Sequence, residues 1–503
     1  MPDAFDLAIV GLGPAGASLA NLLGQAGLSV VVFEREAAIY PLPRAIHFDG
    51  EVMRIFHGMG LKSEIEAATR PGFKNMHFVN AQNQVLLVRG GSTAVGPHGC
   101  ANNHYFHQPQ LEAVLRDGLA RFAQVRLLLR HEVFAIAEDA EGAWLSVENM
   151  NTGSLAKLRA KYVIGCDGAR SLVRRLMGST MEDLGLHQPW LVFDAILKRD
   201  VDLPDHTVQH CDPARPMTYC NVIGQRRRWE IMLMPGDDAQ AIARPENVWK
   251  MLERWITPDD AQLERAVVYT FHSVIARGWR RGRLMIAGDS AHQTPPFLGQ
   301  GMCAGIRDAA NLAWKLALVL REGAHDSLLD TYESEREPHV RAFIALAVKL
   351  GDVIQTTDPA LAAERDGKFQ AGSPEIFQFP APGLGPGVRA DSGAPAGQPF
   401  PQPRLADGRM LDEATGQRFV VIATRELLAA CDATTRARWQ RANAMLIDDA
   451  HPAIAAWLTQ HDTQAALLRP DHYIVGTAGN VTELARLVEH LPLPTCASAR
   501  HAP

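Results

Sequence analysis

Three segments of the 503-residue chain set an apolar strand beside residues suited to a charged ligand. The first is Gly11-Leu12-Gly13-Pro14-Ala15-Gly16, between the apolar run Leu7 to Val10 and the helical run Ala17 to Gln25. In that setting glycines allow a tight turn and let the backbone approach a pyrophosphate, whose charge rests at the helix N-terminus. A second strand, Ser29 to Phe33, ends in Glu34, at about the 20-residue offset where a carboxylate meets ribose hydroxyls. The spacing predicts a dinucleotide site built from Gly11, Gly13, Pro14, Ala15, Gly16, Glu34 and the neighbouring Arg35. The second segment, Val163 to Ser171, stops a strand at Asp167 between Gly165 and Gly168, ahead of a basic helix start. Taken alone, it is equally an ordinary strand-to-helix turn. The third, Leu284 to His292, presents Asp289 at the end of another strand. Pro295-Pro296 then leads through Gly299, Gln300, Gly301, Met302 and Cys303 into a helix whose free amides suit negative charge.

The elements that must hold these segments fall into several blocks, as expected for a chain too long for one compact core. Residues 1–184 open as strand, glycine turn, helix and strand, an α/β beginning, and residues 185–275 are strand-like. Residues 276–382 return to an apolar strand, a Pro/Gly loop and long helical patterns. Residues 383–403 are dense in Pro and Gly and read as a linker, and 404–503 begin a fresh small α/β pattern. The composition, 47% apolar and 21% charged, is that of an ordinary soluble globular protein. A net charge of -6 supplies no basic field for a phosphate backbone, which argues against nucleic-acid binding. Seven scattered cysteines without CxxC or zinc-finger spacing fit a reduced cytoplasm and no metal site. The chain runs from Met1 into its first strand without a signal-like segment. No apolar run approaches the roughly 18 residues of a membrane span, and Ala309 to Leu320 reads as a core-facing helix.

The order and spacing of the three segments resemble the class A FAD-dependent aromatic hydroxylases, the group around p-hydroxybenzoate and phenol hydroxylase. The resemblance covers nearly the whole chain. It is strongest toward the 3-(3-hydroxyphenyl)propionate hydroxylases, through Pro43-Arg44-Ala45, Gln108-Pro109-Gln110-Leu111-Glu112 and GQGMCAGIRDAANLAWKL from Gly299 onward. It implies an α/β fold: a Rossmann-like FAD-binding domain, an inserted β-sheet substrate domain and a C-terminal thioredoxin-like domain. That last domain, without CxxC, would lack dithiol chemistry and serve structure or contacts in a homodimer. The resemblance further implies that Asp289 meets the ribityl or pyrophosphate part of a non-covalent FAD, and that Asp167 serves FAD and NAD(P)H. Arg44 would grip the phosphate and ribityl region and Gln108 the ribityl chain, unless these are a surface ion pair and a capping amide. Pro296 would line the reaction cavity, with Gly299 to Cys303 around the isoalloxazine. NADH or NADPH would visit transiently, and O₂ would be used through a flavin C4a-hydroperoxide to hydroxylate a small aromatic ring.

Such a ring must be electron-rich, so a base that ionises a phenol is expected. His47 and Asp49, just past Arg44, are the candidates; a structural histidine and a helix cap near Gly50 are their ordinary roles. Tyr219 and Arg228, on strands of the middle block, are candidate substrate contacts or else solvated strand residues. The WxWxIP segment of flavin-dependent halogenases is missing. The remaining rivals are the same chemistry on a hydroxypyridine or quinolone, and an FAD-binding redox sensor.

Overall fold

A computed structural model of the chain describes residues 4–72, 76–89, 95–370, 375–377, 381–390, 393 and 395–492. Cys496, part of the expected linker and the end of the last block lie outside the described residues. The parallel core of an eight-stranded mixed sheet carries the first, second and third segments. Strand Ala4–Val10 runs between Val30–Glu34 and Ser154–Gly165, with Val125–Leu129 and Leu284–Ile286 beyond them. Leu7, Ala8, Ile9, Val30, Val31 and Val32 are wholly buried, which explains runs of apolar residues without alternation. Helix Pro14–Gln25 begins with proline in its first turn, where the missing N–H costs nothing, and contacts helix Gly301–Arg321.

Register brings the three segments together. Val10 sits opposite both Phe33 and Gly165, and Gly165 opposite Ile286, so all these strands end at one level. The glycine turn, Glu34, Asp167 and Asp289 therefore surround one crevice at the carboxyl ends of the strands, the usual ligand position in such sheets.

A nine-stranded sheet faces that crevice. Its long strands Thr180–Leu197 and Ala261–Arg277 pair antiparallel, followed by Arg226–Met232, Met217–Asn221 and Val208–His210. Met76–Val79, Val85–Arg89, Glu375–Phe377 and the short His292–Gln293 complete it from outside the strand-rich block of the sequence. Their local pattern is that of any strand, and nothing in it says which sheet they join. A three-stranded sheet, His47–Asp49, Asn103–Phe106 and Thr69–Pro71, lies between these parts in sequence.

The last block holds strands in the order Met445–Asp448, Val420–Ala423, Ala465–Leu468, Ile474–Ala478, the first pair parallel and the others antiparallel. With its intervening helices the block runs βαβ and then ββα. The Pro/Gly-rich stretch before it is no free tether. Val388 N–H donates to Glu335 at 2.6 Å, Ala390 N–H to Val475 O at 2.8 Å and Gly397 N–H to Ile474 O at 2.8 Å. Two of these bonds join described residues of the stretch to strand Ile474–Ala478, and the third joins it to helix Thr331–Ile354. Among the described residues, no helix is long and apolar enough to cross a membrane.

Candidate active site

A cavity of about 430 Å³ fills the crevice between the parallel sheet and the nine-stranded sheet. Gly13, Pro14 and Ala15 form part of its wall. The three glycines of the turn have different reasons to be glycine. Gly11 has φ +99°, and a Cβ there would lie 2.4 Å from Cys166 O; a Cβ on Gly16 would lie 2.1 Å from Gly11 O. Those two serve the turn and its packing against the neighbouring strand end. A Cβ on Gly13 would meet nothing within 4 Å, so the protein itself leaves that space open.

Around this opening the expected cofactor residues divide. Arg44 and Asp289 are exposed on the cavity wall. Gln108 is buried there; its Oε1 accepts from Arg44 N at 2.9 Å and Ala45 N at 2.7 Å, and its Nε2 donates to Glu112 at 2.7 Å. It shapes the Arg44 loop. Glu34 accepts from Leu12 N at 3.0 Å and Glu36 N at 2.9 Å, at the rim of the glycine turn. Arg35 points outward and pairs with Glu36 at 3.4 Å. Asp167 is turned into the protein: Ser171 Oγ and Leu172 N donate to it at 2.5 and 2.6 Å, and Ser290 Oγ at 3.0 Å. It holds the start of helix Leu172–Met177 against the Asp289 turn, while its neighbours Cys166 and Gly168 reach the cavity.

The Pro-Pro loop forms the opposite wall. Pro296–Leu298 make one tight turn closed by Gly299 N–H donating to Pro296 O at 2.8 Å, with Gly299 left-handed at φ +65°. Pro296, Gly299, Gly301 and Met302 line the cavity. Gln300 and Cys303 do not: Gln300 donates to Asp49 at 3.0 Å and accepts from Arg307 at 3.1 Å, and the buried Cys303 thiol donates to Gly299 O at 3.5 Å.

That arrangement also settles the geometry of Asp49. It caps helix Gly50–Gly58 through Val52 N at 3.1 Å and binds Arg307 at 2.5 Å. Burial favours its acid form, but Arg307 outweighs this and holds the carboxyl far below its ordinary range. Asp49 is an anchor off the cavity, and a poor proton acceptor. His47, two residues earlier on the same strand, faces the cavity, with Nε2 2.9 Å from Asn103 Oδ1. Burial, followed by the Arg89 charge, lowers its pKa to about 4, so its imidazole is neutral at pH 7.

Beside His47 stand residues the sequence reading passed over: Asn103, Tyr105 and Arg89. Tyr105 hydroxyl lies 2.9 Å from Thr207 Oγ1, and its ring meets His47 edge-on at 5.6 Å. Strand Asn103–Phe106 alternates, with Asn103 and Tyr105 on the cavity and His104 and Phe106 buried behind. That alternation just before Gln108 was the available signal. Arg89 lines the cavity with its guanidinium 3.5 Å from Leu298 O; burial lowers its pKa to about 10, which leaves it charged at pH 7. Nothing local in the sequence announces it.

The same alternation misplaces Tyr219 as a substrate contact. Thr218 and Cys220 line the cavity, whereas Tyr219 packs on Trp229 behind the sheet and donates its hydroxyl to Pro204 O at 2.9 Å. Arg228 does reach the wall, but it is buried and committed. It pairs with Asp194 at 2.7 Å and donates to Arg44 O and Pro43 O, both at 2.7 Å. Its task is to lock the Arg44 loop onto the sheet.

FAD suits this set of residues: an open space over Gly13 at a helix N-terminus, an exposed arginine and aspartate beyond it, and a glycine-lined turn at the far end. Residues 4–347 match the family described as FAD binding domain. A probable NADH-specific resorcinol 4-hydroxylase of Rhodococcus jostii (strain RHA1) is 37% identical, covering 97% of this chain and 94% of its own. A 3-(3-hydroxy-phenyl)propionate/3-hydroxycinnamic acid hydroxylase of Klebsiella pneumoniae (strain 342) is 32% identical, covering 98% and 96%. Among solved structures, the flavin-dependent monooxygenase PieE in complex with FAD and substrate superposes with a TM-score of 0.81 at 20% identity, covering 98% of this chain and 99% of that one. Aklavinone-11 hydroxylase with FAD and aklavinone gives 0.80 at 20% identity, covering 98% and 100%. At such identities the likeness to these two shows the fold. This chain belongs to the FAD-binding family of flavoprotein aromatic hydroxylases.

Proposed function

We propose that the protein hydroxylates a single-ring phenol of the resorcinol type in the cytoplasm, with NADH as reductant and O₂ as oxidant. Per turnover, NADH, a proton, O₂ and the phenol give NAD⁺, water and the phenol carrying one more oxygen. The observation that carries this reading is the wall of His47, Asn103 and Tyr105 beside the Arg89 guanidinium. It borders the turn Pro296–Gly299, since Arg89 approaches Leu298 O and His47 abuts Gly299. The resorcinol hydroxylase relative supports the substrate class and the choice of NADH.

The glycine turn, Arg44 and Asp289 would hold FAD, which would supply hydride acceptance and oxygen activation. The side chains prepare the ring. An unperturbed phenol has a pKa of about 10. Burial and the Arg89 charge lower the His47 pKa to about 4, so complete proton transfer from such a phenol to it is strongly uphill. Neutral His47 therefore orients the hydroxyl by accepting its hydrogen bond, and Asn103 holds the ring at the other nitrogen. The Arg89 charge stabilises the negative charge that grows on the phenol oxygen. Met76, Val192, Phe271 and Phe297 keep the walls apolar, which keeps water from the reacting atoms. The Arg44 side chain remains available at the cofactor end because Arg228 and Gln108 hold its loop by the backbone.

The test is NADH oxidation by the FAD-loaded enzyme with resorcinol, phenol, 3-(3-hydroxyphenyl)propionate and hydroxypyridines, with product mass and H₂O₂ measured together. Resorcinol should give a product heavier by one oxygen and little peroxide. Turnover of a hydroxypyridine, with the phenols giving peroxide alone, would transfer the assignment to N-heteroaromatic rings.

A further inference from the structure

We infer that the C-terminal block sets the reaction loop through Tyr473, a positioning residue that acts on Gly299 to Met302 by way of Glu51 and Arg307. The inference rests on the hydroxylase reading above. Tyr473 lies next to strand Ile474–Ala478 and is buried. Its hydroxyl donates to Glu51 Oε1 at 2.5 Å. The other oxygen of Glu51 receives Arg307 Nε at 2.6 Å. Arg307 then spends its remaining nitrogens on Asp49 at 2.5 Å and Gln300 Oε1 at 3.1 Å, and Gln300 closes the ring by donating to Asp49 at 3.0 Å.

Both ends of this chain of bonds matter. Gln300 sits between Gly299 and Gly301, and Asp49 is two residues from His47; all three of those neighbours line the cavity. The carboxylate of Glu51 is the middle link. Burial favours its acid form, yet Arg307 prevails and holds it ionised. An ionised carboxylate in a buried place needs donors on both oxygens, and Tyr473 is the donor on the side away from the loop.

The hydroxyl has no comparable part in attaching the block. Attachment comes from Arg54, which binds Asp412 at 2.6 and 2.7 Å, and from Arg469, which pairs with Glu335 at 2.9 Å. The block also buries an apolar interface around Trp314 and Phe419. Removing one hydroxyl leaves all of these in place and releases only Glu51.

The experiment compares Tyr473→Phe, Glu51→Gln and the double variant as FAD-loaded enzymes on the ring the wild type hydroxylates. Product formed per NADH, peroxide, KM for NADH, the change in the FAD absorption spectrum on substrate addition, and the thermal midpoint are read together. For Tyr473→Phe, product per NADH should fall about threefold or more, with peroxide rising to match and KM for NADH nearly constant. The substrate-induced spectral change should be altered, and the double variant should be no worse than Glu51→Gln alone. An unchanged product ratio and spectrum with a lower thermal midpoint would overturn the inference, as would effects that multiply in the double variant. A wild type that hydroxylates a ring other than a phenol changes the assay substrate and the functional reading, while the ratio still tests Tyr473.

Discussion

Gly299 lies against the imidazole of His47: a Cβ on Gly299 would stand 2.9 Å from His47 Nδ1. The contact ties the reaction loop to the residue proposed above to orient the phenol. Gly299 also has φ +65°, where an alanine costs about 1 kcal/mol. Gly299→Ala should therefore displace His47 and slow hydroxylation by about tenfold or more while FAD stays bound. Single-turnover product formation, alongside flavin content, checks this. Hydroxylation at the wild-type rate in a flavin-replete variant would mean that His47 does not orient the ring.

The glycine turn offers a paired test. The space over Gly13 is open within the protein, and its backbone, φ -71°, is accessible to any residue. Gly13→Val should fold and keep the thermal midpoint of the apoprotein, but weaken FAD binding by about tenfold or more, because the side chain occupies the pyrophosphate approach. Gly16→Ala should instead damage the fold, since its Cβ meets Gly11 O at 2.1 Å. Asp289→Ala, at an exposed position on the cavity, should follow Gly13→Val. Titration of apoprotein with FAD, set against thermal melts, separates the two patterns. Full flavin affinity in Gly13→Val would exclude this turn from the cofactor site.

Strand Met217–Asn221 gives a test of facing direction. Tyr219→Phe removes a hydrogen bond to Pro204 O behind the sheet; stability should fall by about 1 kcal/mol with kcat and KM unchanged. Thr218→Val, on the cavity face, removes a hydroxyl that donates to Gln209 at 2.5 Å. It should raise the KM for the phenol and leave the KM for NADH alone. Steady-state kinetics with each substrate varied in turn distinguishes them, and the reverse pattern would put the strand one residue out of register.

Much of this site was legible before the structure because its cofactor half is built from contiguous turns. Gly11 to Gly16, Asp289 and Pro296 to Met302 each end a strand or open a helix, and local sequence carries that geometry. The substrate half is assembled from separate strands, and a period-two alternation needs its phase known. Reading Tyr219 in place of Thr218 was an error of one residue. Asp49 and Gln300 belong to the right segments but turn toward Arg307, which is 258 positions from Asp49 and 7 from Gln300. Arg89 lies at the end of a strand paired with both Met76–Val79 and Glu375–Phe377, and its place on the cavity beside His47 depends on contacts distant in sequence. Composition marks residues 383–403 as a linker but does not say that Ala390 and Gly397 bond to Val475 and Ile474.

Acid should destabilise the protein in two stages, the first governed by buried histidines. Burial lowers His47, His57 and His210 from 6.5 to about 4, with Arg89, Lys62 and Arg254 adding to the respective shifts. Between pH 6.5 and 4 the unfolded chain binds these protons and the native protein does not, so stability falls as pH drops through that window. Each histidine contributes up to about 1.4 kcal/mol per pH unit. A second stage belongs to Glu335. Burial would raise its pKa, but Arg469 and Lys315 outweigh that and hold it at about 2, so its contribution disappears as pH falls from 4.5 toward 2. His210 is off the cavity and suits a test of the first stage. His210→Gln should reduce the loss of stability between about pH 6.5 and 4.5, by up to about 1.4 kcal/mol per pH unit, without altering the second stage. Urea unfolding across that range, with flavin content held constant, measures the slope. A variant as acid-sensitive as the wild type would show that His210 becomes protonated in the native state, with its burial imposing no penalty.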